Sequence, residues 1–99
     1  MDMQRLYSFY LLHPKIQTDT RKIEKGELFF ALKGPHFNGN TYAQKALDLG
    51  AAGVVIDEPI GTEGENIFLV EDVLETLQGL ALYHRKQFNI PFLAITGSN

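Results

Sequence analysis

Three short segments of this 99-residue chain carry side chains that suit an anionic or nucleotide-like ligand. The first is Thr18-Asp19-Thr20-Arg21, in which two hydroxyls, a carboxylate and a guanidinium follow a short strand candidate. Hydroxyls donate and accept hydrogen bonds and arginine offers a planar fork of donors, so this set suits the polar edge of a base or ribose. A capped turn in which Asp19 pairs with Arg21 or Lys22 explains the same residues equally well.

The second segment is the glycine-containing loop between Leu32 and Tyr42, which reads Lys33-Gly34-Pro35-His36-Phe37-Asn38-Gly39-Asn40. Its glycines permit close approach of a ligand to the backbone, and its asparagines supply donors and acceptors. A helix that begins near Asn40 or Thr41 would direct free N–H groups toward a phosphate, because helix N-termini favour anions. The loop therefore predicts a diphosphate cradle, while an ordinary strand-to-helix turn is the alternative explanation of the Asn-Gly pair.

The third segment is Thr96-Gly97-Ser98-Asn99, which follows the apolar run 92–95. A strand that feeds a glycine-rich turn is the way a phosphate-binding P-loop begins. The Gly-Lys-Thr or Gly-Lys-Ser that completes such a loop is not in the sequence, so a strand that ends in a turn explains these residues when they are taken alone.

The histidines and carboxylates do not form a catalytic or metal-binding pattern. His84 lies on an apolar helix face and is interpreted as a packing residue, whereas His36, in the glycine loop, is a candidate ligand contact. No histidine or carboxylate pair has the spacing of a metal site, and none is predicted. The chain contains no cysteine, which excludes a thiolate zinc site and a disulfide framework.

The elements that must position these residues alternate between helices and strands. The patterns predict strands over 16–18, 28–32, 53–57 and 66–70, and helices over 4–12, from 40 or 41 to 50, and from a cap at Asp72 to Phe88. The second helix is expected to bury Tyr42 and to end at Gly50. This alternation predicts an α/β fold with one core: a single small domain with a mixed or parallel sheet flanked by helices.

The composition excludes several classes of protein. Hydrophobic residues make up 44% of the chain, which is typical of a globular domain. The longest apolar or glycine run is seven residues, Gly50 to Ile56, too short to cross a bilayer, and we identify no signal peptide. The net charge of −3 divides unevenly: the first 45 residues carry seven Lys or Arg against four acids, without the aromatic interleaving of a nucleic-acid surface. A cytoplasmic setting is the simplest interpretation, and any anionic ligand is expected to meet the first half of the chain. An ordinary solvated surface explains the same charges equally well.

Taken in order, the motifs resemble the N-terminal domain of the Mur ligase family. The resemblance rests on segments 18–22, 26–34, 37–40, 46–55 and 95–99, which occur in the family's order. It implies that residues 1–90 form a domain that binds the UDP end of the substrate. It also implies that residues 91–99 are the first strand and the truncated P-loop start of a central ATPase domain.

The resemblance also implies an activity for the whole protein. The implied whole protein is similar to the cytoplasmic peptidoglycan ligases that use ATP and Mg²⁺ to join D-alanyl-D-alanine to UDP-N-acetylmuramoyl-tripeptide. A 99-residue piece would anchor the UDP-N-acetylmuramoyl-peptide, bind no cofactor and be inactive alone. Three alternatives stay open: the equivalent domain of the sister ligase that adds the third amino acid, a non-catalytic uridine-nucleotide module, and a structural domain that binds nothing.

By position, the resemblance assigns two groups of residues to the substrate. Those near the uridine are Thr18, Asp19, Thr20 and Arg21, and those facing the nucleotide and diphosphate are Lys33, Gly34, His36, Phe37, Asn38, Gly39, Asn40 and Thr41. Gly97, Ser98 and Asn99 match the start of the loop that holds the ATP phosphates. Many family members carry histidine where this chain has Asn40, which keeps a donor but loses a titratable charge.

Overall fold

A sheet of parallel strands between helices positions the first two of the segments described above. The computed structural model describes residues 2–61 and 64–87. The helices in this part of the chain are α1 (Met3–Leu12), α2 (Ala43–Asp48) and α3 (Val73–Gln87). The strands are β1 (Ile16–Gln17), β2 (Leu28–Phe30), β3 (Lys33–Gly34), β4 (Phe37–Asn38), β5 (Gly53–Ile56) and β6 (Ile67–Leu69). Two 3-10 helices, Thr20–Lys22 and Gly39–Tyr42, lie in the connections.

The main sheet has four strands in the order β1-β2-β5-β6, and each neighbouring pair is parallel. Its two interior strands, β2 and β5, are buried along their whole length. Burial on both faces is what requires these strands to be continuous apolar runs and not alternating ones. The predicted α/β class with a parallel sheet is therefore confirmed, although the strands are shorter than the sequence pattern suggested.

A small antiparallel hairpin, β3 with β4, stands outside the main sheet. It pairs Lys33 with Asn38 and Gly34 with Phe37. The sequence predicted only a loop across this segment, because strands of two residues are too short to show a periodic pattern. The hairpin gives much of the predicted phosphate loop a defined shape.

The sheet divides the hydrophobic core into two clusters, so the expectation of one undivided core was wrong. Successive strand residues point to opposite faces, which sends Phe30 of β2 to one side and Phe29 to the other. On the first face, Phe30 packs in one cluster with Leu6 of α1 and Leu80 of α3. On the second face, Phe29 packs with the small side chains of α2. Both faces are covered, as a parallel sheet requires.

Capping side chains, a proline and a glycine define the ends of the helices. Asp2 caps α1 by accepting a hydrogen bond from the Gln4 N–H at 3.0 Å, and α1 ends before Pro14. The Asp72 carboxylate accepts from the Glu75 N–H at 3.0 Å, which confirms the predicted cap of α3. Gly50 has φ 106°, the left-handed conformation that glycine adopts after a helix.

None of the helices in the described ranges is long and apolar enough to cross a membrane. The predicted strand 92–95 and the residues Gly97, Ser98 and Asn99 lie outside the described residues, as does Phe88 at the predicted end of the last helix. The boundary proposed near residue 90 therefore stays a prediction.

Candidate ligand-binding cleft

A cleft of about 500 Å³ lies beside the carboxyl ends of β1 and β2. In parallel α/β sheets this edge is where ligands bind, because loops and helix N-termini converge there. Two segments that are far apart in sequence form the cleft, the turn after β1 and the segment from the hairpin into α2. Its lining residues are Thr18, Asp19, Thr20, Arg21, Phe29, Phe37, Gly39, Tyr42 and Lys45.

The turn after β1 is held by Asp19. The carboxylate of Asp19 accepts from the Arg21 N–H at 2.9 Å and caps the 3-10 helix Thr20–Lys22. It also accepts from Arg21 Nε at 3.1 Å and from Arg21 Nη2 at 2.9 Å, a two-point ion pair. The hydrogen bonds from Arg21 lower the pKa of Asp19 to about 2. The predicted capped turn is therefore present, and the same residues line the cleft.

Gln17 fixes the start of this turn. Its side-chain oxygen accepts from the backbone N–H groups of Thr18 and Asp19, both at 3.0 Å. These bonds hold the backbone of the turn and leave the Thr18 and Thr20 side chains on the cleft wall. The cleft thus presents two hydroxyls beside a formally neutral Asp19–Arg21 pair.

Two exposed aromatic rings form the opposite wall. Phe37, on β4, is 57% exposed and Tyr42, at the end of the second 3-10 helix, is 45% exposed. Large aromatic side chains are usually covered, so two at one cleft indicate a surface made for a planar partner. The Phe37 ring lies directly over Gly34 and leaves no room for a β-carbon there.

The expectation that Tyr42 is buried was wrong. The sequence placed it on the inner face of an α-helix that begins at 40 or 41, but residues 39–42 form a 3-10 helix. A 3-10 helix turns 120° per residue instead of 100°, which changes the face on which each side chain lies. Ala43 and Ala46 are buried as expected, and Tyr42 turns outward to the cleft.

The backbone of the hairpin approaches the sheet closely at Gly39. Its N–H donates to the Leu32 carbonyl at 2.8 Å. A β-carbon on Gly39 would lie 2.6 Å from that carbonyl oxygen and 2.8 Å from the Ala31 carbonyl carbon. Both are backbone atoms that cannot swing away, so glycine is required at this point of the cleft wall.

Behind the cleft, a polar cluster of Lys33, Asn38, Asn40, Asp57 and Glu58 ties the hairpin to the end of β5. Asn40 is only 5% exposed, and its amide donates to Asp57 Oδ1 and to Asn38 Oδ1, each at 2.8 Å. Its carbonyl accepts from the Asp57 N–H at 3.0 Å. Asn38 donates to the Glu58 carboxylate at 3.1 Å, and Lys33 Nζ lies 2.7 Å from Glu58 and 3.2 Å from Asp57.

The same cluster reaches α3, because Asp57 Oδ2 accepts from the Val73 N–H at 3.3 Å. Burial disfavours the Asp57 carboxylate, but hydrogen bonds from Asn40, Lys33 and Val73 outweigh it and lower the pKa of Asp57. Hydrogen bonds from Lys33 and Asn38 lower the pKa of Glu58. The carboxylates of Glu58 and Asp57 raise the pKa of Lys33. Lys33, Asp57 and Glu58 are therefore all charged near neutral pH.

The structure brings the two predicted segments together, but with different roles for their members. All four residues of the 18–21 motif line the cleft, together with Phe37 and Gly39. The side chains of Lys33, Asn38 and Asn40 are engaged in the polar cluster behind it. Among the described residues, Gly34, His36 and Thr41 are close in sequence to the cleft but do not line it.

Sequence reasoning missed three lining residues, namely Phe29, Tyr42 and Lys45. Phe29 has the sequence pattern of a core residue and is 1% exposed, although it also lines the cleft. Tyr42 and Lys45 are three residues apart, and that spacing places side chains on one face of a helix. An aromatic residue followed three positions later by a lysine, directly after a glycine loop, was the signal available.

Among the described residues, the remaining titratable groups do not add a second site. His84 Nδ1 lies 3.0 Å from the Tyr7 hydroxyl, and its ring packs against Tyr7 and Tyr10 between α1 and α3. This position agrees with its interpretation as a packing residue. Within residues 2–61 and 64–87, no group of three His, Cys, Asp or Glu side chains is placed to hold a metal ion.

Comparison with known proteins agrees with this architecture. The model of "Mur ligase family, catalytic domain" matches residues 15–85. The UDP-N-acetylmuramoyl-tripeptide–D-alanyl-D-alanine ligase of Synechocystis is 45% identical over 85 residues, covering 84% of this chain and 19% of that protein. The UDP-N-acetylmuramoyl-L-alanyl-D-glutamate–2,6-diaminopimelate ligase of Aquifex aeolicus is 32% identical over 95 residues, covering 93% of this chain and 20% of that protein.

A solved structure gives the same result for the fold. The crystal structure of the MurF ligase from Thermotoga maritima in complex with ADP superimposes with a TM-score of 0.70 at 29% identity, covering 79% of this chain and 18% of that one. The chain thus spans about a fifth of the length of the relatives it matches.

The parallel sheet, the cleft at its carboxyl edge and the matched family model define one class: the chain belongs to the Mur ligase family. Within that family it corresponds to the N-terminal domain found in MurF-type and MurE-type ligases. The resemblance that the sequence motifs suggested is confirmed.

Proposed function

We propose that this domain anchors the UDP end of a UDP-N-acetylmuramoyl-peptide in the cleft between the 18–21 turn and the start of α2. The observation that carries the proposal is the composition of that cleft. It combines two hydroxyls, two exposed aromatic rings and two cationic side chains at the ligand-binding edge of a parallel sheet.

Each chemical part of UDP finds a suitable group there. Phe37 and Tyr42 offer flat apolar faces on which a pyrimidine stacks, an interaction worth about 1 to 3 kcal/mol per base. Thr18 and Thr20 offer hydroxyls that both donate and accept, which suits base or ribose oxygens. Two cationic side chains, Arg21 and Lys45, also line the cleft, and positive charge there suits the diphosphate.

For the whole protein, we propose ATP-dependent ligation of D-alanyl-D-alanine to UDP-N-acetylmuramoyl-tripeptide. The substrate names come from the relatives, among which the Synechocystis enzyme is 45% identical. In such a reaction the terminal carboxylate of the tripeptide takes the γ-phosphoryl group of ATP and ADP leaves. The amine of D-alanyl-D-alanine then attacks the acyl phosphate, the amide bond forms, and phosphate leaves with the loss of a proton from nitrogen.

We assign the described residues only the substrate anchor of that reaction. No group of three His, Cys, Asp or Glu side chains among them is placed to hold a metal ion, and the predicted ATP residues Gly97, Ser98 and Asn99 lie outside the described ranges. We therefore assign no ATP or Mg²⁺ step to this domain. Its contribution is to hold one end of a long substrate so that the other end reaches the reacting groups.

A MurE-type role is the second candidate. The Aquifex aeolicus diaminopimelate ligase aligns with 93% of this chain, a longer share than the 84% of the Synechocystis ligase, at lower identity. Assay of the whole protein with each pair of substrates separates the two. Phosphate release only with tripeptide and D-alanyl-D-alanine supports the MurF-type reaction, and release only with dipeptide substrate and diaminopimelate or lysine contradicts it.

Titration of the 99-residue chain with UDP, followed by amide chemical shifts, tests the anchoring role directly. A dissociation constant on the order of 0.1 to 1 mM is expected, because the muramoyl peptide and the rest of the protein contribute no contacts. Shifts should concentrate at 18–21, 37–42 and Lys45. Shift changes confined to other residues, or no saturable change at all, contradict the proposal.

A further inference from the structure

The cationic side chains around the cleft differ in how much charge they have available for a ligand. Arg21 lines the cleft, but its guanidinium makes a two-point ion pair with Asp19. Asp19 also lines the cleft, so the pair adds no net charge to the wall. Lys33, the cation of the predicted phosphate loop, lies within 3.2 Å of both Asp57 and Glu58. Neither residue therefore offers an uncompensated positive charge.

Lys45 differs from both. It lines the cleft from α2, its side chain is exposed, and none of the ion pairs within residues 2–61 and 64–87 involves it. Tyr42 lines the same cleft from the end of the 3-10 helix that precedes α2. An aromatic ring and an ammonium group in one cleft match a base or sugar joined to an anionic group.

We propose that Lys45 is the residue that binds the diphosphate of the nucleotide, a role the sequence motifs assigned to the Lys33 loop. This inference rests on the proposed function, since it assigns one part of the same ligand. A lysine ammonium is a compact point charge with three donors on a flexible stem, which suits phosphate oxygens that move relative to a stacked base. The Asp19–Arg21 pair then faces the uncharged base or ribose, for which a polar surface without net charge is sufficient.

The arrangement also explains why Asp19 is tolerated in an anion site. An unpaired carboxylate on the cleft wall would repel a diphosphate, whereas the Arg21 ion pair cancels that charge. With Asp19 neutralised and Lys33 occupied, Lys45 is the lining cation whose charge no ion pair among the described residues compensates. The diphosphate is therefore drawn to the α2 side of the cleft.

The experiment compares two ligands that differ only in the diphosphate, UDP and uridine, titrated against the 99-residue chain and its variants. Lys45→Gln should weaken UDP binding about tenfold, equivalent to about 1.4 kcal/mol, and leave uridine binding unchanged. Lys45→Arg should restore most of the UDP affinity because it keeps the charge. Lys86→Gln, which removes an exposed charge on α3 remote from the cleft lining, is the matched control and should change neither affinity.

A second measurement needs no variant and covers the case in which Lys45→Gln folds poorly. The affinity of the unmodified chain for UDP should fall as KCl rises from about 50 to 500 mM, while uridine affinity stays constant, because salt screens exposed charges. Equal loss of UDP and uridine binding in Lys45→Gln, or salt-independent UDP binding, overturns the assignment of Lys45 and leaves the anchoring role intact. If the unmodified chain binds neither ligand, the proposed function itself fails.

Discussion

Replacing Asn40 by alanine should destabilise the domain far more than loss of an ordinary asparagine. The Asn40 amide donates to the Asp57 carboxylate at 2.8 Å, and its carbonyl accepts from the Asp57 N–H at 3.0 Å. A hydrogen bond to a charged group contributes about 1.5 to 3 kcal/mol and a neutral one about 1 kcal/mol. Their joint loss should lower the free energy of unfolding by about 2 to 4 kcal/mol, a large part of the 5 to 15 kcal/mol typical of a domain.

Thermal unfolding followed by circular dichroism measures this effect. For a domain of this size, the expected loss corresponds to a fall in Tm of roughly 10 to 30 °C. The matched control is Asn66→Ala, because the part-buried Asn66 amide donates to a neutral group, the Ala52 carbonyl, at 3.1 Å, and to no carboxylate among the described residues. That variant should lose about 1 kcal/mol. Equal losses in the two variants would refute the claim that Asn40 joins the hairpin to β5 and α3.

A second substitution tests the electrostatic part of the reasoning. Asn40→Asp keeps the side-chain size but places a second carboxylate against Asp57, and two carboxylates so close resist joint ionisation. This repulsion raises a folded-state pKa, so its cost is greatest at pH 7 and declines as the pH falls toward 4. The stability deficit relative to the unmodified chain should therefore shrink on acidification. A deficit that is the same at pH 7 and pH 4 would show that the amide does not face Asp57.

Three further predictions concern the cleft wall and the polar cluster. Gly39→Ala should lower the free energy of unfolding by about 1 to 3 kcal/mol, because its β-carbon meets backbone atoms. The control Gly79→Ala should raise the free energy of unfolding by up to about 1 kcal/mol, since only the flexible tip of Met3 lies nearby, at 3.3 Å. Urea unfolding distinguishes a loss of stability from a gain. The folded-state pKa of Asp57 is depressed, so its carboxylate stabilises the fold above about pH 4, and this contribution is lost as the pH falls further. Asp57→Asn should flatten that decline in stability in an acid titration followed by circular dichroism. Phe37→Ala should weaken UDP binding about tenfold and change the free energy of unfolding by less than about 0.5 kcal/mol. Phe37→Tyr, the control, should keep the affinity for UDP. A loss of stability as large as that for a core phenylalanine would contradict the exposed position of Phe37.

Much of the fold could be predicted because its signals are local. The Asp72 cap and the apolar face behind it identified α3, and the apolar runs in β2 and β5 identified the interior strands. Each of these signals lies within a few residues of the element that it defines. The alternation of helices and strands predicted a mixed or parallel sheet, and only the structure shows that all three neighbouring pairs are parallel.

The site could be predicted only in part, since its contacts join distant segments. The 18–21 motif and Phe37 were identified from residue type, and the structure places them on one cleft. The partner of Asn40 is Asp57, 17 residues away, and nothing near Asn40 in the sequence indicates that its side chain is engaged there. The partners of Lys33 were equally hidden, so its charge appeared available for a ligand. Local patterns give the chemistry of a side chain, whereas tertiary packing decides whether that chemistry is already satisfied.

The short edges of the main sheet have a consequence for association. Its two edge strands, β1 and β6, are only two and three residues long, so they expose few unpaired N–H and C=O groups. A neighbouring molecule needs a longer row of such groups to add a strand and begin a fibril. The fully buried strands, β2 and β5, lie between these two edge strands. Within the described residues, the most apolar strands are therefore kept from pairing with a neighbouring molecule once the domain has folded.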